Sequence, residues 1–348
     1  MSRRLLSLIK PNIHSLDAYD TEAVPCVTKL DANESPYDLP EGLKKRVLEG
    51  LSNISFNRYP DQDASDLRFV ISKTYGVDMA EVLTGNGSDE IIGYLISAFG
   101  GPVLYPTPTF SMYGIIASSL DEEVIEIPLL YDFDLDIDAI LNAVRDRKPG
   151  VIFLSYPNNP TGNCFSESRI ETILRQSNAA VVIDEAYGNF SGKSFVGRLR
   201  DFDNLLILKT LSKIGLAGLR VGFLFGQSDI VSEINKIRLP FNVNALSQKA
   251  TCIVLNNKAE IDPLLKVIVK ERDRLFKEMR LLKGIEVFPS EANFILFRID
   301  GDADRIYRAL LDQGVLVRNF RKYLRVTVGS PEENDMFIEA LKASLKEA

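Results

Sequence analysis

Four segments of the chain place reactive or binding side chains beside glycine or proline turns. In KTLSKIGLAGLRVG (209–222), Lys213 sits among small and apolar residues. Loss of water there would lower an ammonium pKa and make the amine a better nucleophile; a solvated loop lysine is the plainer reading. Ser212 and Arg220 flank it and can take an anion. VVIDEAY (181–187) ends an apolar run in an acid, Asp184, which is costly to bury without a partner. A cationic ring nitrogen or a metal would serve as partner, and a helix cap is the alternative. Tyr187 adds a phenol. SYPNNPTG (155–162) is a rigid turn in which Asn159 either aims its amide at a ligand or simply caps the turn. LTGNGSDE (83–90) sets Gly87, Ser88 and Asp89 at a helix start, where free N–H groups favour an anion; ordinary strand–turn–helix capping fits the same residues.

Together these parts meet the needs of one cofactor, pyridoxal phosphate. Lys213 would form the Schiff base. Asp184 would keep the ring nitrogen protonated, so that the ring can accept electrons. Asn159 and Tyr187 would reach the ring oxygen, and the glycine turn would cradle the phosphate. Rival chemistries lack parts. The glycine turn has no third glycine, and Tyr105 stands where a dinucleotide site wants an acid. No GK[ST] follows it for a P-loop. His14 is the only histidine, and the three cysteines (Cys26, Cys164, Cys252) lie far apart, so no metal site is expected.

Such residues need rigid elements behind them. Short apolar runs at 81–84, 102–105, 123–127, 151–155, 180–183, 204–208 and 220–225 alternate with helical patterns at 41–50, 62–75, 88–99, 134–146 and 166–177. Apolar strands separated by helices predict a largely parallel, doubly wound α/β sheet, with ligands at the strands' carboxyl ends. Beyond residue 226 the texture changes. Helices are expected at 228–238, 244–257, 262–282, 302–313 and 331–347, with short strands at 285–288, 293–298, 315–317 and 323–328. This reads as a smaller α+β domain joined by the long helix. Residues 1–40 read as an irregular arm, 41–238 as the large domain and 239–348 as the small one.

PNNPTG, VVIDEAY and TLSKIGLAGLRVG, in that order, resemble the fold-type-I pyridoxal-phosphate aminotransferases. LDANESPYDLP, NRYPD (57–61), YPTPTFSMYG (105–114) and LRVTVGSPEEN (324–334) narrow the resemblance to the histidinol-phosphate aminotransferase branch. It implies a seven-stranded, mostly parallel sheet with flanking helices, a smaller α+β domain, and transamination between L-histidinol phosphate and 2-oxoglutarate in histidine biosynthesis. It also implies roles. Lys213 would carry the cofactor and shuttle the proton, Asp184 would meet the ring nitrogen, and Asn159 and Tyr187 the ring oxygen. Phe110 would stack on the ring, where relatives often have tyrosine. Ser88, Asp89, Ser212 and Arg220 would hold the phosphate, with Gly87 leaving room. Tyr59 would reach the phosphate of a partner subunit, making a homodimer with shared sites. Arg325 would bind the substrate carboxylate, and Arg318, Tyr19 and Asn159 would complete the substrate site. One departure is that the stretch from Lys213 to Arg220 is one residue shorter than in most relatives. An aromatic amino-acid aminotransferase or a threonine-phosphate decarboxylase of the same fold is the alternative.

Composition narrows the partners. Forty-one basic against 48 acidic residues leave a net charge of −7, which does not attract nucleic acid or anionic lipid. No apolar run approaches a membrane span, the basic start MSRRLLSLIKP breaks off too soon for an export signal, and sparse cysteines suit a reducing cytoplasm.

Overall fold

The computed structural model describes residues 3–14, 16 and 26–346. Twelve strands occur among them: β1 (Thr28–Leu30), β2 (Val82–Gly85), β3 (Val103–Thr107), β4 (Val124–Pro128), β5 (Val151–Ser155), β6 (Ala180–Asp184), β7 (Leu205–Thr210), β8 (Gly222–Phe225), β9 (Ile285–Val287), β10 (Phe294–Ile299), β11 (Val315–Asn319) and β12 (Tyr323–Thr327). Seven form a sheet in the order β2-β8-β7-β6-β5-β3-β4, with β8 alone antiparallel to its neighbours.

The central strands are apolar throughout because both faces are covered. In β5, Val151 and Phe153 enter one core while Ile152 and Leu154 enter the other. Helices Ser88–Phe99, Met112–Ser119 and Ser228–Asn235 cover the first face. Helices Glu41–Leu51, Ser65–Tyr75, Ile137–Arg147, Glu167–Gln176 and Ala245–Asn256 cover the second. Each aliphatic side chain buried this way contributes about 1.5–3 kcal/mol, before entropy is counted.

The second sheet runs β1-β11-β12-β10-β9 and packs on helices Ala303–Asp312 and Pro331–Lys346. Helix Asp262–Met279 spans both cores: Leu265 and Ile268 pack with the large sheet, Leu275 and Met279 with the small one.

Three expectations need correction. The arm is not irregular throughout, because β1 pairs in parallel with β11 (Thr28↔Val315) at the edge of the small sheet. Helix Met112–Ser119 falls where no element was expected. The strand expected from 220 starts at Gly222, because Ala217–Leu219 form a helical turn and Arg220 has φ +53°. Elsewhere the shifts are small. The helix expected from 62 begins at Ser65, where Asp61 accepts from the Ser65 N–H at 2.6 Å and Ala64 has φ +46°.

Candidate active site

The carboxyl ends of β5, β6 and β7 lie side by side, with Ser155 in register with Asp184. A cavity of about 250 Å³ opens there. Ser88, Asp89, Phe110, Asn159, Asp184, Tyr187, Ser212, Lys213 and Arg220 line it, together with Ser155 and Thr210. Nine residues expected from the sequence thus meet in one place, although the first and last are 132 positions apart in the chain (88 and 220). Ser155 and Thr210 were given no role from the sequence, although each is the polar residue that ends an apolar strand.

Asp184 is 3% exposed. Its Oδ2 accepts from the Tyr113 phenol at 2.7 Å and its Oδ1 from the Ala186 N–H at 3.0 Å. Burial pushes its pKa up to about 6; the two hydrogen bonds pull the other way, and the charges of Asp89 and Glu185 add to the rise. Among the described residues no Lys or Arg side chain forms an ion pair with it. Tyr113 is fully buried, stacked on Phe153 at 4.7 Å, and held protonated well above its ordinary pKa by burial and by Asp184. Tyr113 was not singled out from the sequence, because the helix that carries it, Met112–Ser119, was not expected there.

The phosphate end is built from two strained turns. Gly87 has φ +86°, and a Cβ there would run into the Arg220 guanidinium. A Cβ on Gly222 would lie 2.6 Å from Gly87 C and Ser88 N, so β8 can only start there as glycine. The left-handed turn at Arg220 brings Nη2 to 3.2 Å from Asp89 Oδ2 beside the start of helix Ser88–Phe99. The Thr210 and Ser212 hydroxyls are 2.9 Å apart. The short stretch after Lys213 closes as two helical turns, Ser212–Ile214 and Ala217–Leu219, with Gly215 at φ +94° between them.

A second cavity, of about 160 Å³, shares Ala32, Phe110, Asn159, Tyr187 and Lys213 with the first and adds Arg318, Phe320 and Arg325. Arg318 and Arg325 are registered opposite each other on β11 and β12. Arg325 donates from Nη1 to Asn159 Oδ1 and from Nη2 to the Asp31 carbonyl, with its guanidinium over Phe294 and Phe320. The two asparagines of PNNPTG divide their work. Asn158 ties the turn together through Pro108, Thr109 and Thr161, while Asn159 faces both cavities.

Three consecutive residues after β1, unassigned from the sequence, touch three of these groups. The Asp31 carbonyl accepts from Arg325, the Ala32 carbonyl from Lys213 Nζ at 3.2 Å, and Asn33 Nδ2 donates to Tyr187 Oη at 2.9 Å. Two expected residues are not among those that line the cavities. Tyr59 is 81% exposed, stacked on Phe241 at 4.6 Å, and lines neither cavity. Tyr19 lies outside the described residues.

A family profile of class I and II aminotransferases matches residues 25–341. The chain belongs to that family. Aminotransferases of this class work with pyridoxal phosphate, and the cavity suits it: a buried carboxylate without an ion pair among the described residues can take a ring cation, and the missing Cβ of Gly87 lets the Arg220 guanidinium lie against the start of helix Ser88–Phe99, where a phosphate would be met. A histidinol-phosphate aminotransferase of Aquifex aeolicus is 45% identical over 349 aligned positions, covering 97% of this chain and 98% of the relative. Among solved structures, a histidinol-phosphate aminotransferase from Clostridium acetobutylicum superposes with a TM-score of 0.86 at 26% identity, over 92% of this chain and all of that one. Another from Sinorhizobium meliloti, in complex with pyridoxal-5'-phosphate, has a TM-score of 0.89 at 22% identity over 98% of both chains. The aminotransferase fold is thus carried by the whole chain, both sheets included.

Proposed function

We propose that this aminotransferase exchanges L-histidinol phosphate and 2-oxoglutarate for 3-(imidazol-4-yl)-2-oxopropyl phosphate and L-glutamate, in histidine biosynthesis. The observation that carries the reading is the Arg318–Arg325 pair in the cavity that Lys213 shares. The two donors differ in their anions: glutamate brings carboxylates, histidinol phosphate only a phosphate. Two adjacent guanidiniums suit both, since a planar fork binds carboxylate or phosphate oxygens in pairs. The likeness to the Aquifex aeolicus enzyme points the same way.

When bound, pyridoxal phosphate supplies an electron-accepting ring that makes the substrate Cα–H acidic. The chain's residues do the rest. Lys213 Nζ would carry the cofactor and move the proton from the substrate α-carbon. Asp184, held by Tyr113 and the Ala186 N–H, would keep a proton on the ring nitrogen. Asn159 and Tyr187 would hydrogen-bond the ring oxygen, and Phe110 would lie against the ring. The N–H groups at Ser88 and Asp89, with Ser212 and Arg220, hold the phosphate; Arg220 would then exchange part of its contact with Asp89 for the phosphate. Arg325 takes the glutamate α-carboxylate, and Arg318 and Tyr19 the substrate phosphate.

We read the assembly as a homodimer in which Tyr59, exposed and outside its own cavities, reaches the partner's phosphate site. The arm is assigned to 1–40, the large domain to 41–238 and the small to 239–348. No helix among the described residues is long and apolar enough to cross a membrane, and we place the enzyme in the cytoplasm.

Three experiments test this. Borohydride treatment of the yellow protein should fix the chromophore at Lys213 and leave Lys213→Ala unlabelled; labelling elsewhere overturns the lysine's role. Glutamate alone should release one equivalent of 2-oxoglutarate per site, as a two-half-reaction enzyme requires. Histidinol phosphate, phenylalanine and threonine phosphate competing in one assay then decide the substrate. Preference for phenylalanine, or carbon dioxide released from threonine phosphate, defeats the histidinol-phosphate assignment.

A further inference from the structure

Asn33 lies just beyond β1, 1% exposed, with φ +55°, a left-handed conformation that asparagine adopts more readily than most residues. Its polar atoms are all engaged. The backbone N–H donates to Thr327 Oγ1 at 2.9 Å, and the Thr327 hydroxyl donates back to Asn33 Oδ1 at 3.1 Å. Asn293 Nδ2 donates to the Asn33 carbonyl at 3.1 Å. The Thr327 hydroxyl thus accepts the Asn33 N–H and gives its own proton to Oδ1, and the NH₂ end of the amide is turned to Tyr187 Oη, to which it donates at 2.9 Å. A phenol oxygen that accepts such a bond keeps its own proton to give elsewhere, and Tyr187 lines the cavity beside Lys213.

We infer that Asn33 is a positioning residue that turns the Tyr187 hydroxyl proton into the cofactor cavity. The inference rests on the proposed contact between Tyr187 and the cofactor's ring oxygen. A donor there draws negative charge off that oxygen, which weakens its hold on a proton shared with the lysine-bound nitrogen. Loss of the donor therefore raises the pH at which the visible absorbance of the bound cofactor titrates. Asn33→Asp keeps the size and tolerates the φ, but offers an acceptor where the wild type has a donor, so the phenol proton is drawn away from the cavity. Asn33→Gly keeps the φ and only removes the donor.

The test is a spectroscopic pH titration of the cofactor-loaded protein without substrate. Asn33→Asp should move the midpoint up by about one pH unit, with Asn33→Gly moving it less in the same direction. In a Tyr187→Phe background neither substitution should move it further. A midpoint unchanged by both Asn33 substitutions, while Tyr187→Phe shifts it, overturns the inference and leaves the Tyr187 reading standing. Equal shifts with and without the Tyr187 hydroxyl overturn it in favour of a packing effect. A midpoint that ignores Tyr187→Phe overturns both readings.

Discussion

β6 ends in Asp184 and is followed at once by Glu185, two buried acids that are neighbours in sequence and opposites in environment. Glu185, 1% exposed, faces away from the cavity and is fully matched. Lys209 Nζ is 2.6 Å from its Oε2, the Ser194 hydroxyl donates at 2.7 Å, and the Phe195 N–H donates at 2.6 Å. Asp184 faces the cavity with two hydrogen bonds and, among the described residues, no ion pair, and burial pushes its pKa up to about 6. The rear carboxylate is structural because its counter-charge comes from the chain itself. The front one has no ion pair among the described residues, and in the proposed function a cofactor with a cationic ring nitrogen would supply the counter-charge.

The comparison can be broken most severely at Asp184. Asp184→Asn should cost on the order of 10³-fold in kcat/KM, because a neutral amide cannot hold the ring proton; a loss under tenfold would remove Asp184 from the chemistry. Next comes Glu185→Gln, which leaves Lys209 buried without its charge partner. It should destabilise the fold by about 3 kcal/mol, read as a lower denaturation midpoint, while the folded fraction keeps near-normal turnover. Swapped outcomes for these two substitutions would reverse the assignment of front and rear.

A subtler effect is on pH dependence. Asp184 has its folded pKa raised from 3.8 to about 6, so the fold favours the neutral form. The contribution to stability is full below pH 4 and is lost as pH rises through 6. Cofactor-free protein should therefore lose stability over that interval on account of this group. Asp184→Asn should abolish that part of the slope, and cofactor loading should abolish it too by pairing the carboxylate. Thermal unfolding at pH 4.5 and 7.5, with and without cofactor, checks this. The smallest change is Tyr113→Phe, which removes one hydrogen bond to Asp184 and leaves the ring packing on Phe153. About 1 kcal/mol, or three- to tenfold in kcat/KM, is expected. No measurable change would mean that Asp184 is held by the Ala186 N–H alone.

Much of this site was legible because its residues end strands. An apolar run that stops at a polar residue marks the carboxyl edge of a parallel sheet, and Asp184, Asn159, Lys213 and Ser88 all follow such runs. What escaped is equally specific. β1 has three residues and a partner strand 287 positions away in register, so it has no local periodicity to read. Asp31, Ala32 and Asn33 acquire their contacts only through that pairing. Helix Met112–Ser119 is apolar on most sides and follows a proline-rich turn, which hid both the helix and Tyr113.

The order of the motifs, the alternation of strands and helices, and the chemical types at the strand ends were determined by the amino-acid sequence itself, because each depends on near neighbours along the chain. Tertiary structure alone decided which of two adjacent acids is left without a counter-ion, which amide faces Tyr187, and that Arg318 and Arg325 sit side by side next to Lys213. Those outcomes depend on burial and on partners brought from distant segments, and neither quantity exists until the chain has folded.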